Sequence, residues 1–154
     1  TEPQRRVYQW VLDAQKAAIQ ACVVGSTPKA VHDAAVRVLT EGMVDLNLLR
    51  GEVDTLIESE AYKKYYMHGT GHWLGLDVHD VGITAARGKS RAFEPNFVLT
   101  VEHGLYIAHD DADAPEDLRG IGVRIEDDIR ITSDGPENLT ADIPKEIDAI
   151  ESMR

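Results

Sequence analysis

Half of the chain's six histidines fall within twelve positions, in the stretch HGTGHWLGLDVHDVG from His68 to Gly82, which also holds four glycines. Imidazole can ligate a metal or carry a proton near neutral pH, so three together form a candidate site. His68 and His72 stand four apart, a spacing that would place both on one face of a helix. Gly69 and Gly71 lie between them, however, and each glycine costs a helix about 1 kcal/mol. On an extended chain the two positions share a face as well, and glycine lets a second backbone or a ligand come close. His79 has the opposite parity to His72 and joins the same site only through a turn or bulge around Gly75. Three unrelated, half-buried histidines are the competing explanation.

Two acids interrupt stretches that otherwise read as buried strands. VLTVEHGLYI, from Val98 to Ile107, alternates apolar side chains around Glu102. In GIGVRIEDDIRI, Arg124 and Glu126 have equal parity and flank Ile125. Burying an unpaired carboxylate is costly, so either Arg124 neutralises Glu126 or a cation binds both acids. An ion pair suffices for one acid alone. Two acids on separate strands, joined by a histidine, make a site of imidazole nitrogen and carboxylate oxygen, which suits Mn, Co, Zn or Fe. Tyr62, Tyr65, Tyr66 and Trp73 read as core and pocket wall. The Asp-rich run HDDADAPEDL lacks the spacing of a calcium loop and reads as a solvated loop.

The elements that must position these residues follow from periodicity. Val7, Trp10, Val11, Ala14, Ala18, Ile19 and Cys22 recur at helical spacing between Gln4 and Val24, and Gly25 ends that helix. Ser26-Thr27-Pro28 caps a second helix carrying Val31, Ala34, Ala35, Val38, Leu39, Met43 and Leu46. A third is expected from Glu52 towards Lys64. Beyond His68 the texture turns to short β-rich runs, Asn96 to Val101, Gly104 to Ala108 and Gly122 to Thr132, with a last helix from Pro144 to Met153. Helices first and strands after predict an α+β domain with helices on one face of a mostly antiparallel sheet. No repeat, linker or domain boundary interrupts it.

At 154 residues the chain has the size of one domain. Sixteen Lys and Arg against 27 Asp and Glu give a formal charge of −11, which disfavours nucleic acid and anionic membranes as partners. No apolar run approaches the roughly 20 residues of a membrane span, and no secretory signal is visible, so a cytoplasmic location is expected. The single cysteine, Cys22, reads as a small buried residue. The chain opens on Thr1 rather than Met, as a piece of something longer would.

HGTGHWLGLDVHDVG, LTVEHGLYI and GIGVRIEDDI, in that order, closely resemble the catalytic half of the bacterial Xaa-Pro aminopeptidases. These are pita-bread metallopeptidases, a group that also holds prolidase, creatinase and methionine aminopeptidase. The similarity extends from the first helix to PENLTADIPKEID. It implies that His72 is a metal ligand and that His68 and His79 flank the substrate and the reacting carbonyl. Glu102 is implied as ligand and general acid/base, and Glu126 as the carboxylate bridging two ions, with Arg124 beside it. The implied cofactor is a divalent metal, usually Mn, two ions in the complete enzyme, and the implied partner is a peptide with proline in second position.

Two departures accompany the resemblance. The family usually reads Glu-Pro-Gly where this chain has Glu102-His103-Gly104, which frees the backbone that orients Glu102. The family's other two ligands are aspartates on a hairpin upstream of the first helix, and neither Asp13 nor Asp33, both in helical patterns, replaces them. The resemblance therefore makes residues 1–154 the C-terminal part of a pita-bread catalytic domain, without its first half or the N-terminal domain, holding at most one ion and weakly active or inactive alone. A prolidase and a non-catalytic peptide-binding module on the same scaffold are the alternatives, and a homo-oligomer is compatible with the sequence.

Overall fold

The first helix begins where Thr1 and Gln4 close a capping box around Pro3, and it runs as α1 from Glu2 to Gln20. Its apolar stripe, Val7, Val11, Leu12, Ala14 and Ala18, is buried against α2 (Pro28–Asp45). The Thr27 hydroxyl accepts from the Ala30 amide at 3.2 Å and caps α2, with Pro28 in its first turn. A short α3 (Val53–Glu58) and a 3₁₀ turn (Ala61–Lys64) follow. The expected third helix is thus split, because Glu60 takes a left-handed backbone with φ of 56°. The computed structural model describes residues 1–86 and 88–153. No described helix is long and apolar enough to cross a membrane.

The strands are β1 (Ala85–Ala86), β2 (Lys89–Ser90), β3 (Val98–Val101), β4 (Gly104–Tyr106), β5 (Gly122–Arg124), β6 (Asp127–Thr132) and β7 (Gly135–Asn138). Every pairing is antiparallel, and the helices cover one face, so the class is α+β as expected. The last helix, α4 (Ile147–Glu151), is shorter than the stretch from Pro144 to Met153. β7 has no strand-forming composition; it pairs because the chain reverses after Thr132 and lays Gly135 beside it.

One apolar cluster joins α1 and α2 to Tyr62, Tyr65, Tyr66, Leu105, Ile107, Leu118 and Ile125. A second joins Ala18, Cys22, Val31, Ala35 and Phe93 to Leu99, Val101, Ile129 and Ile131. Cys22 is buried, and loss of water pushes its thiol up to about 12.

The run expected as one strand from Gly122 to Thr132 breaks at Ile125 and Glu126, and its partner breaks at Glu102 and His103. The register nevertheless continues without a slip. Val101 faces Asp127 at the end of the β3–β6 ladder and Gly104 faces Arg124 at the start of the β4–β5 ladder, so Glu102 lies opposite Glu126 and His103 opposite Ile125. Alternation then sorts the side chains. Val101, His103, Leu105, Ile125, Asp127 and Ile129 are buried, on the face turned to the helices. Thr100, Glu102, Tyr106, Arg124 and Glu126 take the other face.

Residues 70–74 run beside β3 without forming a regular strand. Thr100 N donates to the His72 carbonyl at 2.9 Å, Glu102 N to that of Thr70 at 2.7 Å, and Leu74 N to that of Val98 at 3.1 Å. Gly71 permits this approach, since a Cβ there would sit 1.8 Å from the Thr100 carbonyl oxygen. Gly71→Ala should therefore lower the unfolding free energy by about 1–3 kcal/mol or more, because the neighbour is backbone and cannot yield as a side chain would. Urea unfolding compared with the unsubstituted chain checks this, and an unchanged midpoint would contradict the packing described.

Candidate metal centre

Thr70 anchors the histidine loop to the helices: its hydroxyl lies 2.6 Å from the Tyr66 hydroxyl and 2.8 Å from His32 Nδ1. Two residues on, His72 leans over the start of the break in the ladder. Its Nδ1 lies 2.9 Å from the Trp73 carbonyl, which can only accept, so the proton is on Nδ1 and the Nε2 lone pair faces outward. That Nε2 is 3.2 Å from Glu102 Oε1. Among the described residues, His72, Glu102 and Glu126 bring one ligand atom each to within 4.8 Å of one another.

A lone pair and two carboxylates converging this way repel unless something positive lies between them. A proton on His72 Nε2 or a metal ion can fill that role. Glu126 already registers the strain: partial burial and the neighbouring Glu102 charge hold its carboxyl above the ordinary range. One imidazole nitrogen whose other nitrogen is fixed by a carbonyl, plus two carboxylates, fits a borderline divalent ion such as Mn, Co, Zn or Fe.

Around this core lies a second set of contacts. Arg124 reaches Glu102 Oε2 at 3.2 Å and the Tyr106 hydroxyl at 2.8 Å, and its guanidinium lies 3.3 Å from His68 Nε2. Its hydrogen-bonded carboxylate is thus Glu102, across the ladder, rather than its own strand neighbour Glu126. Glu102 lies on the diagonal across the ladder, within reach of a long side chain. His68 donates from Nδ1 to the Gly69 carbonyl at 2.7 Å, which leaves Nε2 to accept from Tyr106 at 2.8 Å. His79 is exposed, and a turn in which Asp80 N donates to the Trp73 carbonyl at 3.1 Å brings its ring to 4.2 Å from that of His72.

A model of metallopeptidase family M24 matches residues 1–133. The chain belongs to metallopeptidase family M24. It is 53% identical over 153 residues to the Xaa-Pro aminopeptidase of Haemophilus influenzae, covering 99% of this chain and 35% of that protein. Among solved structures, aminopeptidase PepP of Pseudomonas aeruginosa superposes with a TM-score of 0.97 at 48% identity, covering 99% of this chain and 35% of that one. Aminopeptidase P from E. coli with the inhibitor Pro-Leu superposes with a TM-score of 0.94 at 48% identity, covering 99% and 34%. The chain spans about a third of the length of these relatives, and its fold is the pita-bread fold of the aminopeptidase P structures.

A family M24 metallopeptidase takes a divalent ion, and the residues brought together here are those singled out from sequence: His72, Glu102 and Glu126 at the centre, with His68, His79 and Arg124 around them. Tyr106 and Thr100 were not anticipated. Tyr106 joins His68 to Arg124, and the Thr100 hydroxyl accepts from His72 N at 3.1 Å. Both share the strand parity of Glu102, a signal that was readable. His103 does not enter the site. It is buried on the opposite face, where Nε2 donates to the Val11 carbonyl at 3.1 Å, and burial holds its pKa down at about 4. Asp13 and Asp33 stay on the helices, bonded to Gln9 and Lys29.

Mn added to the chain should raise its unfolding midpoint, because an ion that binds only the folded state stabilises it by about 2.7 kcal/mol at one hundred times its dissociation constant. His72→Ala should remove most of that shift. Thermal unfolding with and without millimolar Mn reads the result, and identical midpoints for the unsubstituted chain would favour a metal-free interaction module.

Proposed function

We propose that this chain supplies part of the active site of a manganese-dependent Xaa-Pro aminopeptidase, which releases the N-terminal residue from peptides with proline in second position. The convergence of His72, Glu102 and Glu126 carries the reading, together with the 53% identity to the Haemophilus influenzae Xaa-Pro aminopeptidase. The inhibitor Pro-Leu bound by the E. coli relative is in keeping with it.

When bound, a divalent ion polarises a carbonyl and lowers the pKa of water. The protein's own groups do the rest. Glu102 is the carboxylate placed to take a proton from the attacking water as its oxygen joins the scissile carbonyl carbon. It then returns that proton to the proline nitrogen as the C–N bond breaks. This delivery matters because the proline nitrogen carries no N–H and must leave as an amine. Arg124, bonded to Glu102, holds that carboxylate oriented in readiness. His79, whose ring packs on that of His72, and His68, bonded to Tyr106, are the groups we assign to flanking the peptide, and Tyr106 holds His68 in the tautomer whose Nε2 faces it.

Three ligands leave an ion with open positions. We take the other two to be aspartates on a hairpin upstream of α1, so the 154 residues alone would hold at most one ion and turn over slowly. A form extended to include that hairpin should hydrolyse an Xaa-Pro tripeptide orders of magnitude faster than the 154-residue chain. In the extended form Glu102→Gln should abolish turnover and spare the fold, since the amide keeps the shape but accepts no proton. Equal rates for the two lengths, or a near-normal rate for Glu102→Gln with Mn, would overturn the mechanism. Cleavage confined to dipeptides would assign the same residues to a prolidase.

A further inference from the structure

Directly behind the facing carboxylates, on the side of the ladder turned to the helices, a charged group interrupts an apolar layer. Asp127 is 1% exposed, and its carboxylate accepts from three sources: Lys145 Nζ at 2.6 Å, Thr140 Oγ1 at 2.7 Å and Gln15 Nε2 at 2.9 Å. Gln15 comes from α1, and Thr140 and Lys145 come from the segment between β7 and α4. The same Gln15 amide also donates to the Val101 carbonyl at 3.0 Å, and Val101 is the register partner of Asp127. The Thr140 hydroxyl accepts from Asp128 N at 3.1 Å, and Lys145 is tied in turn to the Thr140 and Ile143 carbonyls at 2.8 and 3.0 Å.

This cluster grips the residues next to both carboxylates. It holds Asp127 and Asp128, which follow Glu126, and through Gln15 it ties Asp127 to Val101, which precedes Glu102. The β3–β6 ladder also joins Val101 to Asp127, but it ends there, since regular pairing lapses from Glu102 to His103 and from Ile125 to Glu126, so the cluster reinforces the last pair before the carboxylates. Two like charges opposite one another also push their strands apart. Packing alone does not call for an aspartate here, since well-packed apolar residues stabilise a core at least as well as a buried ion pair. A group needed for geometry explains the charge better than a group needed for stability.

We propose that Asp127, clamped by Lys145, Thr140 and Gln15, is a positioning residue that sets the separation of Glu102 and Glu126 from the far side of the ladder, and so tunes their joint affinity for a divalent ion. The proposal rests on the reading of those two glutamates as ligands. Asp127→Asn in the full chain keeps the side-chain shape and removes the charge. Thr140→Val keeps the volume, removes one donor and is the variant read if Asp127→Asn does not fold. Mn affinity by titration calorimetry should weaken about 10- to 100-fold, the range usual for groups that support metal ligands. The visible absorption of the Co-loaded protein should shift as its coordination changes. A group that only anchors the C-terminal segment would lower the unfolding midpoint of the metal-free protein and leave both readings unchanged, and that result overturns the proposal. If the unsubstituted chain takes up no Mn, the ligand reading falls and the positioning role with it. If it takes up Mn and the folded variant binds equally well, the positioning role alone falls.

Discussion

Two carboxylates placed directly opposite each other on antiparallel strands set the terms for the structure around them. Like charges in that position destabilise a ladder, and here the regular pairing lapses at those residues and resumes on either side in the same register. The lapse is the site. Two oxygens and one imidazole nitrogen converge there on a common point and leave a deficit of positive charge that a divalent ion can supply. Arg124 meets part of that deficit from the side, through Glu102.

The pleat divides the labour between the two faces of the same strands. Apolar side chains on one face lock the strands to α1 and α2, while the polar side chains on the other converge around His72. Because successive residues alternate, each reactive group is flanked by residues fixed in the core. Glu102 stands between Val101 and His103, and Glu126 between Ile125 and Asp127, all four of them buried. Rigidity at the site is therefore borrowed from the core one residue away, and a carboxylate held in this way loses little freedom when it binds an ion.

Much of this was legible in the sequence because alternation is a strict rule in strands. Parity alone put Arg124 and Glu126 on one face and demanded a turn at Gly75 to bring His79 to His72, and the structure has both. The helices were readable from their apolar spacing, apart from the split at Glu60, where a single left-handed residue outweighs helical composition. Interactions between segments distant in sequence were not readable. Nothing in the run around Arg124 says that its guanidinium bonds a glutamate on another strand, nor that His103 would find the Val11 carbonyl and stay out of the site. β7 was missed for a related reason, since GPEN becomes a strand through its partner and not through its own composition.

The stretch from Thr70 to Leu74 has a second effect, on solubility. β3 is the outer strand of its three-stranded sheet, and an uncovered outer strand offers a row of free amides and carbonyls to any neighbouring chain. Three backbone hydrogen bonds from this irregular segment occupy that row, and its irregularity keeps it from serving as a template in its own right. The opposite border, β7, is four residues long and carries Pro136, which has no amide to donate. A proteolytic nick near Gly69 or Gly71 would thus do two kinds of damage at once: it would scatter the histidines and bare an adhesive strand, so that loss of metal binding and onset of aggregation would arise from the same broken bond.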